Sequence, residues 1–145
     1  MKCVIQRVEN ASVSVEGKIV GSIEKGILVY FGVQKGDTEN QMRWLCDKMA
    51  RLRLFRDDEG KMNLSLGDVN GQILLISQFT LCANLHKGNR PSYDDAEDPD
   101  KANQMYSKAL SYLAGLGYTV AHGQFGAHMM VTYTNDGPVT FVLER

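Results

Sequence analysis

Gly26-Ile27-Leu28-Val29-Tyr30-Phe31-Gly32-Val33 is an unbroken apolar run of strand length. It has no polar residue at alternate positions, so a strand here must be covered on both faces. Gln72-Ile73-Leu74-Leu75-Ile76-Ser77 is a second run of the same kind. Two strands of this type call for a layered fold with helices available as cover.

The flanking segments supply those layers. Upstream, Cys3–Val8 is mostly β-branched or apolar. In Ala11–Val15, Ala11, Val13 and Val15 alternate with Ser12 and Ser14, the period of a strand with one buried face. Glu16-Gly17-Lys18 is a turn leading to a strand over Ile19–Glu24. Downstream, Thr38 with Gln41 three residues on forms a capping box. Met42, Leu45, Cys46, Met49 and Leu52 then recur at helical spacing, so a helix is predicted from Glu39 to Leu52. Arg53–Phe55 is a short strand and Arg56–Gly60 a polar turn. The second apolar run ends at Gln78-Phe79-Thr80-Leu81, and Asn84–Asp98 is a long polar loop. Asp98-Pro99 caps a second helix carrying Ala102, Met105, Tyr106, Ala109, Leu110 and Leu113, which stops at Gly115 or Gly117. Tyr118–Ala121, His128–Thr134 and Val139–Leu143 read as strands, with Asn135-Asp136-Gly137-Pro138 turning between the last two. The prediction is one α/β domain over residues 1–145. Its β layers are mixed and mainly antiparallel, with two amphipathic helices packed on one face.

Composition narrows the function classes. At 145 residues the chain suits one domain with a real core. Sixteen basic against seventeen acidic residues give a net charge of −1, so nucleic-acid contact must come from a local patch. Cys3, Cys46 and Cys82 are odd in number and far apart, the pattern of a reduced, cytoplasmic protein. No apolar run is long enough for a membrane span, and the N-terminus alternates polar and apolar residues without a signal core, so neither a membrane nor secretion is expected.

His86, His122 and His128 lack metal-ligand spacing, so no metal is expected. Gly-x-Ser-x-Gly, Gly-x-Gly-x-x-Gly and the phosphate-loop pattern do not occur. Ser77 and Thr80 end a buried strand, where functional hydroxyls and free amides gather. Neither has an activating base beside it in sequence, and a hydrogen bond to backbone is the plainer role. Asn135-Asp136-Gly137-Pro138 reads as a β-turn or, alternatively, as a rigid projection of backbone. His86–Pro91 and the group Arg51, Arg53 and Arg56 are basic enough to meet phosphate. The acids at Asp94, Asp95, Glu97, Asp98 and Asp100 favour a solvated surface instead.

Taken together, five segments resemble the D-aminoacyl-tRNA deacylases in order and spacing. They are Gln6-Arg7-Val8 with Ala11-Ser12-Val13, Ser77-Gln78-Phe79-Thr80-Leu81, Lys87-Gly88-Asn89-Arg90-Pro91-Ser92, Gly123-Gln124-Phe125-Gly126-Ala127, and Asn135-Asp136-Gly137-Pro138-Val139-Thr140. Gly60-Lys61-Met62-Asn63 matches as well. The resemblance implies a homodimeric, cofactor-free, cytoplasmic hydrolase acting on the 3′ end of aminoacylated tRNA, not on DNA. It would cleave the ester of a D-amino acid, or of glycine, as a proofreading step. Ser77, Gln78, Phe79 and Thr80 are then the expected catalytic segment, with the Phe79 and Thr80 amides as oxyanion donors. The resemblance implies a cis peptide at Gly137-Pro138, facing the partner's pocket and rejecting L-substrates. Phe125, Gly126, Ala127 and Met129 are the expected adenine and substrate contacts, and Lys87 and Arg90 the phosphate contacts. His128 stands where the family often has an acid, and Tyr93 where phenylalanine is common; both lie away from the two central motifs. The alternatives are a non-catalytic module binding an RNA 3′ end and an editing hydrolase for a mischarged L-aminoacyl-tRNA.

Overall fold

The computed structural model describes residues 1–86 and 88–145. In it one strand, β1 (Lys2–Val15), runs through both N-terminal segments that the sequence pattern divides in two. A bulge explains the difference. The pairing of β1 with the last strand, β8 (Met130–Glu144), slips between Val8 and Asn10. An extra residue in a strand inverts the face taken by everything after it. Cys3 and Ile5 therefore face one core, while Ala11 and Val13 join Val8 in another.

β2 (Lys18–Ile23) and β3 (Gly26–Gly32) pair antiparallel with the two halves of β1. β6 (Gln72–Ser77) lies parallel to β3, and β7 (Val120–His122) parallel to β6. The sheet is thus mixed, in the order β2-β1-β3-β6-β7 with β8 also on β1. Between these strands come α1 (Glu39–Arg51), the hairpin of β4 (Phe55–Arg56) and β5 (Met62–Leu64), and α2 (Pro99–Gly115).

The two apolar runs behave as double-faced strands. Ile27, Val29, Phe31, Ile73 and Leu75 point to the core under α1 and α2; Leu28, Leu74 and Ile76 point to the opposite core. That second core has no helix over it. Instead the sheet curls until its ends meet, with the Gly21 backbone against His122; a Cβ on Gly21 would lie 2.5 Å from the His122 carbonyl oxygen. This curl is absent from the sequence reading, because the contact joins residues a hundred positions apart.

Both helix starts follow their sequence signals. The Thr38 N–H donates to Gln41 Oε1 at 2.7 Å, and Gln41 N–H returns a bond to Thr38 Oγ1. Asp98 accepts from the Asp100 N–H ahead of Pro99 at the first turn. No described helix is long and apolar enough to cross a membrane.

Asn135-Asp136-Gly137-Pro138 is not a turn between two strands, and that reading is corrected. β8 runs straight through it, and both its halves pair with β1, Met130–Asn135 with Val8–Ser14 and Thr140–Glu144 with Lys2–Gln6. A hairpin would pair the halves with each other. Asp136–Val139 instead form an excursion opposite Arg7.

Cys3, Cys46 and Cys82 are free and buried. Burial pushes the Cys46 thiol up to about 12 and raises Cys3 and Cys82 as well. At pH 8 all three stay protonated and unreactive. A thiol titration with Ellman's reagent is expected to read none of them until denaturant is added; a fast-reacting thiol in the native protein would contradict this packing.

Candidate active site

β3 and β6 end side by side, and the loops that leave β6 and β7 wall the space beyond them. The carboxyl ends of adjacent parallel strands are where such a crevice forms. The cavity there measures about 450 Å³. Its floor is Phe31, Val33 and Ile76. Ser77, Gln78 and Phe79 form one side, Phe125, Gly126, Ala127, His128 and Met129 another, and Ala96, Glu97, Pro99 and Ala102 at the head of α2 a third.

Past Ser77 the chain tightens into a 3₁₀ turn, Phe79–Cys82. The Gln78 N–H is committed to the Phe31 carbonyl at 2.9 Å, and the Leu81 and Ala83 N–H groups close the turn. The first N–H groups of such a turn have no partner within it. Among the described residues, the Phe79 and Thr80 N–H groups have none elsewhere either. Gln78 Nε2 donates to Thr80 Oγ1. Thr80 itself is exposed and lies off the cavity wall, joined to it through Gln78.

The aromatic walls are braced from behind. Tyr106, buried in α2, donates its hydroxyl to the Leu75 carbonyl at 2.7 Å, and its ring lies 6.0 Å from that of Phe125. Burial raises the Tyr106 pKa, so the phenol remains a donor. Phe79 is 54% exposed, steadied by an edge contact with Tyr93 at 5.0 Å. The expectation that Tyr93 and His128 lie away from the central motifs is thus corrected: one packs on Phe79 and the other lines the same cavity. Chain folding after residue 82, which sequence spacing does not reveal, brings them there.

Gly137 and Pro138 lie elsewhere in the chain. Their peptide bond is cis, and both residues are exposed. They sit beside Arg7, which pairs with Ile27 at the start of β3, whereas the cavity opens past Phe31. Four residues of strand separate the two levels, about 13 Å. Arg7 is 2% exposed. Its Nη1 donates to the Leu54 carbonyl. Its Nε lies 2.7 Å from Asp136 Oδ2 but off the N–H direction, so this contact is one of charge. Asn135 Nδ2 donates to the Arg7 and Val139 carbonyls, closing the base of the excursion.

Of the expected contacts, Ser77, Gln78, Phe79, Phe125, Gly126, Ala127 and Met129 converge on one cavity. Arg90 is exposed on the loop between the Asn84–Ser92 bridge, away from the cavity wall. Lys87 lies outside the described residues. The sequence reading missed the α2 contribution. Asp98-Pro99 signalled only a helix start, and nothing marked Glu97 as a cavity carboxylate. Its Oε1 accepts the Asp98 N–H at 2.9 Å.

The family described as D-Tyr-tRNA(Tyr) deacylase matches residues 4–144. The chain belongs to this family. A Geobacter metallireducens protein named D-aminoacyl-tRNA deacylase is 52% identical over 99% of this chain and 95% of its own length. A Pelobacter propionicus protein of the same name is 52% identical over the whole of both chains. Among solved structures, one titled c-Myc DNA Unwinding Element Binding Protein superposes with a TM-score of 0.95 at 39% identity, covering 100% of this chain and 99% of that one. A probable eukaryotic D-amino acid tRNA deacylase shares the fold, with a TM-score of 0.84 at 16% identity over 98% and 97% of the two chains. The deacylase family is thus reached by sequence along nearly the full chain, and the α/β fold by structure.

Proposed function

We propose that this chain hydrolyses the ester joining a D-amino acid to the 3′-terminal ribose of tRNA, in the cytoplasm, as a homodimer. The observation that carries the reading is the uncommitted pair of N–H groups at Phe79 and Thr80 beside an apolar cavity. Water attacking the ester carbonyl builds negative charge on its oxygen. Donors already aimed at that charge lower the barrier without reorganising. Phe79, Phe125 and Met129 supply apolar surface for the terminal adenine, and stacking tolerates any sequence before it. Arg90, with Lys87, serves the phosphates. The reaction consumes one water and asks for no cofactor.

The homodimer reading rests on two facts. The Gly137-Pro138 edge and the cavity stand at opposite levels of one chain, so if that edge serves a cavity, it serves the cavity of a second copy. β8 also exposes apolar side chains, Met130 at 64% and Val142 at 68%, on a long strand paired with β1. Exposed apolar side chains on an edge strand support an interface there. The partner's Gly137-Pro138 main chain would then form a wall where an L side chain projects. Steric exclusion of that kind works whatever the side chain is. Glycine has no side chain to exclude, so glycyl-tRNA, including glycine mischarged on tRNA-Ala, is a substrate on this reading.

Incubation with D-Tyr-tRNA, L-Tyr-tRNA and Gly-tRNA tests the proposal. Release from the D and glycyl esters with the L ester intact is expected. Cleavage of the L ester would favour the editing alternative, and no cleavage at all the binding module. Thr80→Ala is expected to slow D-ester hydrolysis by about tenfold, the worth of one hydrogen bond to Gln78. Complete loss would make the hydroxyl a nucleophile.

A further inference from the structure

We infer that Arg53 and Arg56 of one copy bind phosphates of the tRNA end whose ester sits in the cavity of the other copy. The inference rests on the dimeric deacylase reading above and adds a phosphate-binding surface to it.

Arg7 links two distant segments. One guanidinium touches both the Leu54 carbonyl and the Asp136 carboxylate. It therefore ties the segment around β4 to the base of the Gly137-Pro138 excursion. Leu54 and Phe55 are buried, while Arg53 and Arg56 on either side of them are exposed. Lys25 adds a third cation, its Nζ 5.9 Å from the Phe55 ring. Among the described residues, none of the three is in an ion pair.

Two neighbouring carboxylates form hydrogen bonds inside their own turns. Asp57 accepts from the Glu59 and Lys61 N–H groups and from Asn63 Nδ2. Asp68 accepts from the Ser65 N–H and hydroxyl. Both are held within their own turns but keep their charge; the Asp68 pKa is lowered by its bonds from Ser65 and, to a lesser degree, by the Arg53 charge. Glu24 and Asp58 are exposed and dilute the field, so a short contact is expected rather than a long basic track. Arginine suits this, because its planar fork grips phosphate oxygens in pairs. If Gly137 of one copy meets the substrate in the other, Arg53 and Arg56 of that first copy stand beside the same mouth. The RNA strand leaving the mouth carries one phosphate per nucleotide. The favoured occupant is thus the single-stranded 3′ end of tRNA.

The test compares two esters, D-Tyr-tRNA and D-tyrosyl-adenosine, which has no phosphate. Arg53→Gln/Arg56→Gln is expected to raise KM for the tRNA ester about tenfold at low salt, with kcat unchanged. The slope of log(kcat/KM) against log[salt] should become shallower by about 1 to 1.5, near 0.7 per phosphate for a single strand. Hydrolysis of D-tyrosyl-adenosine should not change. Arg53→Lys/Arg56→Lys should restore most of the salt slope. Heterodimers locate the contact. A copy with a cavity blocked by Ala127→Trp but intact arginines should give normal KM when paired with an open-cavity Arg53→Gln/Arg56→Gln copy; placing both changes on the blocked copy should raise KM. An unchanged salt slope, or equal losses on both esters, would overturn the inference and leave the deacylase reading standing. The reverse heterodimer pattern would overturn the trans assignment. A wild-type protein inactive on both esters would sink the deacylase reading and this inference with it.

Discussion

Gly137→Ala is expected to lower kcat/KM for D-Tyr-tRNA by about a hundredfold and to shrink the ratio of D-ester to L-ester rates. Gly137 has φ +124°, a region that L side chains rarely adopt. A Cβ there would lie 2.6 Å from Val139 Cγ2 and 2.7 Å from the Val139 nitrogen. The second contact is with backbone, so side-chain rotation cannot relieve it. The excursion must move, and a displacement of about 1 Å in a positioning element is enough for a hundredfold loss. If Gly137-Pro138 is the proposed main-chain wall, the discrimination should suffer with the rate, because a displaced wall no longer fills the space of an L side chain. The measurement is single-turnover hydrolysis of both esters, with circular dichroism to show that the fold is intact. A folded variant that keeps the wild-type D-to-L ratio would remove the main-chain wall from the mechanism.

Arg7→Met should destabilise the protein by about 2–3 kcal/mol, the usual range for stripping a buried acceptor and a counter-ion of their partner. Methionine replaces much of the buried stem but none of the donors. The Leu54 carbonyl loses its bond and Asp136 its positive neighbour. Asp136 is 35% exposed on its side chain, so water takes up part of its loss, and the larger share falls on Leu54. The midpoint of urea unfolding should drop at unchanged m. The same variant should loosen chiral selection, because the excursion holding Gly137 loses its brace. Stability within 0.5 kcal/mol of wild type would mean that Arg7 is tolerated rather than used.

The strands and helices were legible because their signals are local. The apolar runs at residues 26–33 and 72–77 contain their own evidence of double-sided burial, and the Thr38 and Asp98 caps mark helix starts within four residues. Ser77, Gln78, Phe79, Phe125, Gly126, Ala127 and Met129 were singled out and line one cavity, yet spacing alone left Ser77 and Thr80 as ordinary hydrogen-bonding residues. The resemblance of several segments together, not the chemistry of any one, selected them.

Other features depended on distant pairings. Asn135-Asp136-Gly137-Pro138 has turn-forming residues, and local propensity favours a hairpin. β1 overrides it by offering partners to both halves of β8, Lys2–Gln6 to one and Val8–Ser14 to the other, with the register shifting between them. The bulge near Glu9, the curl that brings Gly21 to His122, and the arrival of Glu97 and Tyr93 at the site have the same origin. Side-chain period and capping are properties of neighbours along the chain, so residue order alone specifies them. Which strand edge receives which partner, and which loops meet over the ends of β3 and β6, depends on burial summed over residues far apart; only the folded chain resolves that competition.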